Sequence, residues 1–352
     1  MTSQITLALD SMGGDRAPGL VIDGAEIAIE RLPDMRLILV GDEEKLRPLI
    51  GATKRLKNAS HEILHTDQMV GAAEKPSVAL RAGRKSSMRM AIDLVADGTA
   101  DGVVSAGNTG ALMAMSKIGL RMCPGIDRPA IASFFPTMRG ESCMLDLGAN
   151  IECDTNNLVQ FAIMGEIFAR LVLGLDRPTV GLLNVGSEEQ KGHEELREAA
   201  AILRKVEASM DFYGFVEGND ITAGTVDVVV TDGFSGNIAL KTAEGTSRMF
   251  SHYLRESFKS TLLTKFGYLL CRSAIGQLRD RLDPRRYNGA VFLGLNGIAV
   301  KSHGGTDALG FANAIGVAAD MARYGFLDKV KEELAVLHTI KDGEDVEKAA
   351  VL

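Results

Sequence analysis

Gly102-Val-Val-Ser-Ala-Gly-Asn-Thr-Gly-Ala111 decides how this 352-residue chain is read. Gly102 to Ser105 has the apolar, β-branched character of a short strand covered on both faces, and it runs directly into a turn of glycine and small polar residues. The same transition recurs at Asp10-Ser-Met-Gly-Gly-Asp15, Asp146-Leu-Gly-Ala-Asn150, Asn184-Val-Gly-Ser-Glu-Glu-Gln-Lys-Gly192, Thr231-Asp-Gly-Phe-Ser-Gly-Asn237 and Lys301-Ser-His-Gly-Gly-Thr-Asp307. A phosphate group must meet several backbone N–H groups at close range, and glycine lets the chain approach and take φ > 0 without a Cβ clash. Asn, Thr and Ser add short donors, and a helix starting just after such a turn adds unpaired N–H groups and the positive end of its dipole. In a parallel sheet these strand ends share one edge, where open α/β folds bind their ligands. One glycine after a strand is equally a tight connection; the recurrence gives the pattern its weight.

Outward from these turns the chain alternates short apolar runs with amphipathic stretches, the sequence form of repeated βαβ units. Strands are expected at Ile5 to Leu9, Arg36 to Val40, Glu62 to His65, Gly102 to Ser105, Ala130 to Phe134, Ser142 to Asp146, Thr179 to Leu183, Val226 to Thr231 and Ile298 to Ser302. Helical spacing marks Val21 to Glu30, Val78 to Val95, Leu158 to Leu173, Glu194 to Val206 and Asn313 to Ala322. The expected fold is α/β: three layers, a mostly parallel sheet with helices on both faces. No repeat or low-complexity linker divides it, so residues 1–352 are expected as a single domain, with 246–288 a protruding helical excursion and 341–352 a polar tail.

The composition, 46% hydrophobic and 24% charged, is that of an ordinary globular protein. Cys123, Cys143, Cys153 and Cys271 have no CxxC spacing and no nucleophile setting beside a histidine, so they are expected to be reduced, buried packing residues. The first residues show neither a basic n-region nor a long apolar core, which leads to an expectation of a cytosolic protein. A net charge of −7 argues against broad nucleic-acid binding. That average hides residues 248–286, where nine Lys/Arg face three acids. Neither GxGxxG nor GxxxxGK[ST] occurs, and HExxH, GxSxG and EF-hand patterns are missing, so phosphate or a small acyl phosphate fits the turns better than a nucleotide.

The ordered set MGGD, SAGNTGALMA, DLGAN, LLNVGSEEQKG, GFVEGNDI, VVTDGFSGNIALK and KSHGGTDALGFANAI, from Asp10 to about Tyr324, resembles the bacterial phosphate acyltransferases (PlsX). Ser11 and His193 depart from that pattern, where Ala and Asn or Thr are expected. The resemblance implies an enzyme that converts acyl-acyl-carrier protein and inorganic phosphate into acyl phosphate for phospholipid synthesis. It also implies a fold similar to isocitrate dehydrogenase and phosphotransacetylase, a homodimer, and reversible association with the membrane surface. No cofactor or metal is called for, because phosphate itself attacks the thioester and the protein has only to position it, hold the oxyanion and help the thiolate leave.

For that chemistry Lys191, bracketed by Gly186 and Gly192, is the candidate charged group, against the reading of a solvated loop lysine. Asn237 follows Gly233 and Gly236 and is either an oxyanion donor or a helix N-cap. His303 is either a proton-transfer residue or a hydrogen-bonded turn residue. Substrate and phosphate are assigned to Asp10, Gly13, Gly14, Ser105, Asn108, Thr109, Gly110, Asn150, Gly186, Ser235, Gly236, Lys301, Gly304, Gly305 and Thr306. Asp15 and Asp232, like Asp10, are expected to orient basic partners or hold N–H groups.

In the basic excursion Leu254, Phe258, Leu262 and Phe266 recur at helical spacing beside Lys259 and Lys265. The stripe is a helix face packed on a core or partner, or a surface for anionic lipid or the acidic carrier protein. Other readings of the whole chain are an acyl-CoA phosphotransacylase, a decarboxylating dehydrogenase of similar fold, and a non-catalytic acyl-phosphate or lipid sensor.

Overall fold

A computed structural model describes residues 4–205, 210–281, 283 and 285–333. The expected polar tail at 341–352 lies outside the described residues.

Among the described residues, eleven strands form one sheet in the order β3-β2-β1-β4-β11-β10-β5-β6-β9-β7-β8. Their ranges are Thr6–Asp10 (β1), Arg36–Gly41 (β2), His61–His65 (β3), Gly102–Ser105 (β4), Ala130–Thr137 (β5), Gly140–Leu145 (β6), Thr179–Leu183 (β7), Asp211–Val216 (β8), Val228–Val230 (β9), Ala290–Leu293 (β10) and Ile298–Lys301 (β11). Period-two alternation gives the sheet two buried faces. Leu7, Leu9, Leu37, Leu39, Val104 and Val300 belong to one core, while Ala8, Ile38, Val40, Val103 and Ala299 belong to the other.

The first core is closed by α1 (Gly19–Arg31), α2 (Glu43–Ala52), α6 (Thr155–Leu173), α7 (Glu194–Lys205) and α11 (Ala308–Arg323). The second is closed by α3 (Pro76–Ala82), α4 (Ser87–Ala96), α5 (Thr109–Gly119) and α8 (Gly218–Ala223), with Ala239, Leu240 and Ala243 of α9 (Gly233–Lys259) against it. The three-layer α/β expectation is met. The single helix expected over Val78 to Val95 is two, because Gly83 ends the first and the Ser86 hydroxyl caps the second by accepting from Arg89 N–H at 3.3 Å. Strands β8 and β10 were not expected. The former is an edge strand whose register shifts around Gly214 (φ +114°), and the latter is only four residues long.

The sheet is mostly parallel but changes direction midway. Strands β1 to β4 and β11 are parallel, β10 runs against both β11 and β5, and β5 runs against β6. Strands β6, β9, β7 and β8 are again mutually parallel, in the opposite sense to the first group. The expectation that all the glycine-rich turns share one edge is therefore corrected. Those after β1, β4 and β11 leave one edge, and those after β6, β9 and β7 leave the other.

The excursion is a helical hairpin, α9 against α10 (Leu262–Arg281), so its stripe is not one continuous helix face. Leu254 and Phe258 are half-buried within it, Phe258 meeting Tyr268 at 5.4 Å between ring centroids, whereas Leu262 and Phe266 are exposed. Cys123 and Cys143 are buried as expected and Cys153 half-buried, but Cys271 is exposed because α10 packs on little besides α9.

Candidate functional site

At the edge where β1, β4 and β11 end as neighbours, the organising group is Asp10. Its carboxylate is buried and accepts from the hydroxyls of Ser87 and Ser105, each at 2.6 Å. Burial pushes the Asp10 carboxyl up from its ordinary range, and those two hydroxyls, with the Met12 N–H and the Lys301 charge, pull it back. A Cβ on Gly13 would stand 2.3 Å from Asp10 Oδ2 and 2.9 Å from the Gly107 nitrogen, so the turn crosses the carboxylate at a distance only glycine allows. The Asp15 N–H donates to Gly304 O at 3.2 Å and the Arg16 guanidinium donates to Thr306 O, which ties the first turn to the last.

Lys301 ends β11 at 8% exposure, and its ammonium donates to Ala106 O at 3.4 Å and to Ser302 O. Burial lowers its pKa to about 8, against the raising pull of Asp10 and Asp15. In the turn that follows, Thr306 N–H donates to His303 O and Gly305 N–H to His303 Nδ1, each at 3.1 Å. Those two amides serve the turn itself, and Gly304 N–H has no acceptor among the described residues. Asn108 caps α5 by accepting from Ala111 N–H at 3.0 Å, and its amide donates to Ala72 O and Glu74 O. The side chain is thereby spent on structure. Thr109 and Gly110 open α5, where helix geometry leaves N–H groups without intrahelical acceptors.

At the opposite edge β6, β9 and β7 end side by side. Here Asp146 accepts from the N–H groups of Ile131, Gly148, Ala149 and Asn150 and from Asn150 Nδ2, all between 2.7 and 3.1 Å. Burial again raises the carboxyl's pKa and these donors oppose it. Asn150 gives its amide to Pro129 O and Asp146, which makes it a brace for the loop. Gly233 and Gly236 let α9 start against that loop: a Cβ on Gly236 would stand 2.0 Å from Asp146 O. The cap of α9 is Asp232, which accepts from Ser235 N–H at 2.8 Å, so the N-cap alternative for Asn237 is corrected. Asn237 donates one amide hydrogen to Leu147 O at 3.0 Å.

Lys191 is half-exposed and pairs with Glu188 at 3.4 Å, in a turn held where Asn184 Nδ2 donates to Lys191 O at 3.1 Å. Gly186 lies under its side chain, since a Cβ there would meet Lys191 Cδ at 3.1 Å. Lys191, Asn237, Asn150, Gly186, Ser235 and Gly236 thus belong to this edge. Asp10, Gly13, Gly14, Ser105, Asn108, Thr109, Gly110, Lys301, His303, Gly304, Gly305 and Thr306 belong to the other. Sequence reasoning overlooked Ser87, hidden inside the supposed long helix, and Asp146, which opens a quoted motif and is the acceptor around which its loop folds.

The comparisons agree on one relationship. The family described as "Fatty acid synthesis protein" matches residues 5–329. A protein named phosphate acyltransferase from Rhodospirillum centenum is 62% identical over 356 residues, covering 100% of both chains. One of the same name from Paramagnetospirillum magneticum is 58% identical over 333 residues, 95% of each chain. Among solved structures, a phosphotransacetylase from Streptococcus pyogenes matches with a TM-score of 0.62 at 16% identity, over 91% of this chain and 94% of that one. The EutD phosphotransacetylase from Staphylococcus aureus matches with a TM-score of 0.58 at 17% identity, over 91% and 95%. At such identities the two structures speak for the fold alone.

Proposed function

The chain belongs to the phosphate acyltransferase family, and from that premise we propose that it transfers an acyl group from acyl-acyl-carrier protein to inorganic phosphate, supplying acyl phosphate to phospholipid synthesis. The observation that carries the phosphate half of this reading is Lys301, a cation desolvated by burial beside a glycine-rich turn with a free Gly304 N–H. A buried cation beside a backbone N–H suits a small anion.

In the reaction a phosphate oxygen attacks the thioester carbonyl carbon and forms the new C–O bond. The C–S bond then breaks, its electron pair goes to sulfur, and the thiolate takes up a proton to leave as the free carrier thiol. No protein nucleophile is needed. Asn237, with a second amide hydrogen to offer while the first holds Leu147 O, and Lys191, its ammonium kept in its turn by Glu188, are assigned to the oxyanion and the departing sulfur; because they stand at the edge opposite the Lys301 turn, this reading requires the thioester to be attacked between the two edges. His303, whose Nδ1 is engaged with Gly305, acts through turn shape rather than proton transfer.

The partners that go with this reading are the acyl carrier protein, a second copy of the chain in a homodimer, and an anionic membrane surface. What supports the last is α10, where exposed Leu262, Leu263, Phe266, Leu269 and Leu270 are flanked by Lys259, Lys265 and Arg272.

Purified protein mixed with acyl-acyl-carrier protein is expected to consume the thioester only when phosphate is present. Lys191→Ala is expected to lower turnover by on the order of a hundredfold with an unchanged melting profile. Thioester loss that ignores phosphate would overturn the reading, and acyl-CoA serving equally well would move it to the acyl-CoA phosphotransacylase alternative.

A further inference from the structure

We propose that Asn288 is the positioning residue that sets the His303-Gly-Gly-Thr306 turn for phosphate, a role that rests on the assignment of phosphate to that turn. After α10 ends at Arg281 the chain returns to the sheet, and residue 288 arrives between the end of β11 and the start of α11. Its single carboxamide meets both sides of the turn. Nδ2 donates to Ser302 Oγ and Gly310 O, each at 2.7 Å, and lies 3.4 Å from Thr306 Oγ1, while Oδ1 accepts from His303 N–H at 2.9 Å. The residue before the turn, its first and last residues and the first turn of α11 are therefore gathered by one side chain from the segment that leads into β10.

Two ties come to this turn from the first glycine-rich turn, Asp15 N–H to Gly304 O and the Arg16 guanidinium to Thr306 O, and neither reaches His303, where the turn begins. Its own bonds, Thr306 N–H to His303 O and Gly305 N–H to His303 Nδ1, close the loop but do not fix its tilt against β11. Asn288, in contrast, is rigidly delivered. The next residue, Gly289, has φ +127°, and a Cβ there would stand 3.1 Å from Ala314 Cα and 3.2 Å from Val317 Cγ2, so the chain crosses α11 where no side chain fits. Asn313 Nδ2 donates to Arg285 O at 2.7 Å, the Arg285 guanidinium reaches Asp307 at 2.7 Å, and Ser133 Oγ donates to Tyr287 O at 3.2 Å, which pins the segment on three sides. Both amide hydrogens of Asn288 are committed, so it does not bind the anion. It acts through the direction in which the turn presents Gly304 N–H.

The experiment is steady-state turnover of acyl-acyl-carrier protein with inorganic phosphate varied, for wild type and Asn288→Ala, beside melting curves with and without phosphate. Asn288→Ala is expected to raise the KM for phosphate by roughly tenfold with kcat within about twofold, as loss of hydrogen bonds outside the reacting groups implies. It should also lose the phosphate-induced rise in Tm at concentrations that stabilise wild type. Asn288→Asp keeps the acceptor for His303 N–H but sets a carboxylate against Gly310 O, and is expected to bind phosphate no better than the alanine variant. A wild-type KM for phosphate in Asn288→Ala, or a fall in kcat alone, overturns the proposal. If Asn288→Ala gives no cooperative melt, Ser302→Ala removes one of its acceptors; a smaller KM rise supports the proposal and none overturns it. Wild-type turnover that is indifferent to phosphate removes the functional reading and this role together, whereas phosphate saturation of wild type with an unmoved variant removes this role alone.

Discussion

In the proposed reading, Lys301 ties stability and phosphate binding to the same titration. Burial holds its folded pKa near about 8 while the unfolded side chain keeps its ordinary value of 10.5. Between these the unfolded chain binds a proton that the folded chain has shed, so Lys301's contribution to stability rises with pH across that window. Phosphate binding goes the opposite way, because the ammonium that would attract it is lost. The expected outcome is a kcat/KM for phosphate that falls as pH rises through about 8, with the KM for the acyl carrier unchanged, and Lys301→Met is expected to lack that alkaline limb. Steady-state kinetics over the range, with phosphate as the varied substrate, checks it.

At the scale of elements, α6 carries a charge device of the reverse sign. Glu166 is 4% exposed at its side chain and forms an ion pair with Arg170 at 3.2 Å, and Arg170 in turn pairs with Glu333 from the helical stretch at 326–333. Burial first, and the like charge of Glu333 second, raise the Glu166 pKa to about 7 against the pull of Arg170. The folded state therefore holds a proton that the unfolded chain loses near 4.5, and this contribution is full below that value and lost as pH rises through about 7. Thermal melts from about pH 5 to 8 are expected to show a smaller decline of Tm for Glu166→Gln than for wild type. Elements such as α6, with its Asp154 cap and buried face, were legible because period and capping residues are local. The reversal of direction within the sheet was not read, although its signal was present. The gap between the strand expected to end at Phe134 and the one expected to begin at Ser142 is too short for a crossover helix and fits only an antiparallel hairpin. The candidate site divided along the same line. Glycines, Lys191, Asn237 and Lys301 stood out by type and spacing, whereas Ser87 matters through Asp10, far back in the chain, and Asn288 through partners that the sheet brings back to it from beyond β10, which no local pattern encodes.

For the molecule as a whole, the α9–α10 hairpin is where apolar surface remains open: Met249, Phe250 and Tyr253 on one helix and Leu262, Leu263 and Phe266 on the other are exposed. Replacing both Leu262 and Phe266 by Glu is expected to abolish flotation with anionic liposomes or to shift the protein to a smaller species in size-exclusion chromatography, with a cooperative melt retained; no change in either removes the hairpin from both roles. The sheet has a further consequence, for the birth of the protein. Strand β4 ends at Ser105, yet its second neighbour, β11, begins only at Ile298. During synthesis the hydrogen-bonding edge of β4 must therefore wait, unpaired, while the entire opposite half of the sheet is translated, and the N-terminal half cannot seal until β11 itself has been made. A truncated nascent chain stopped before β11 would carry an open, apolar strand edge, and the final strands serve as the closing stitch that ends its exposure to aggregation and to chaperones.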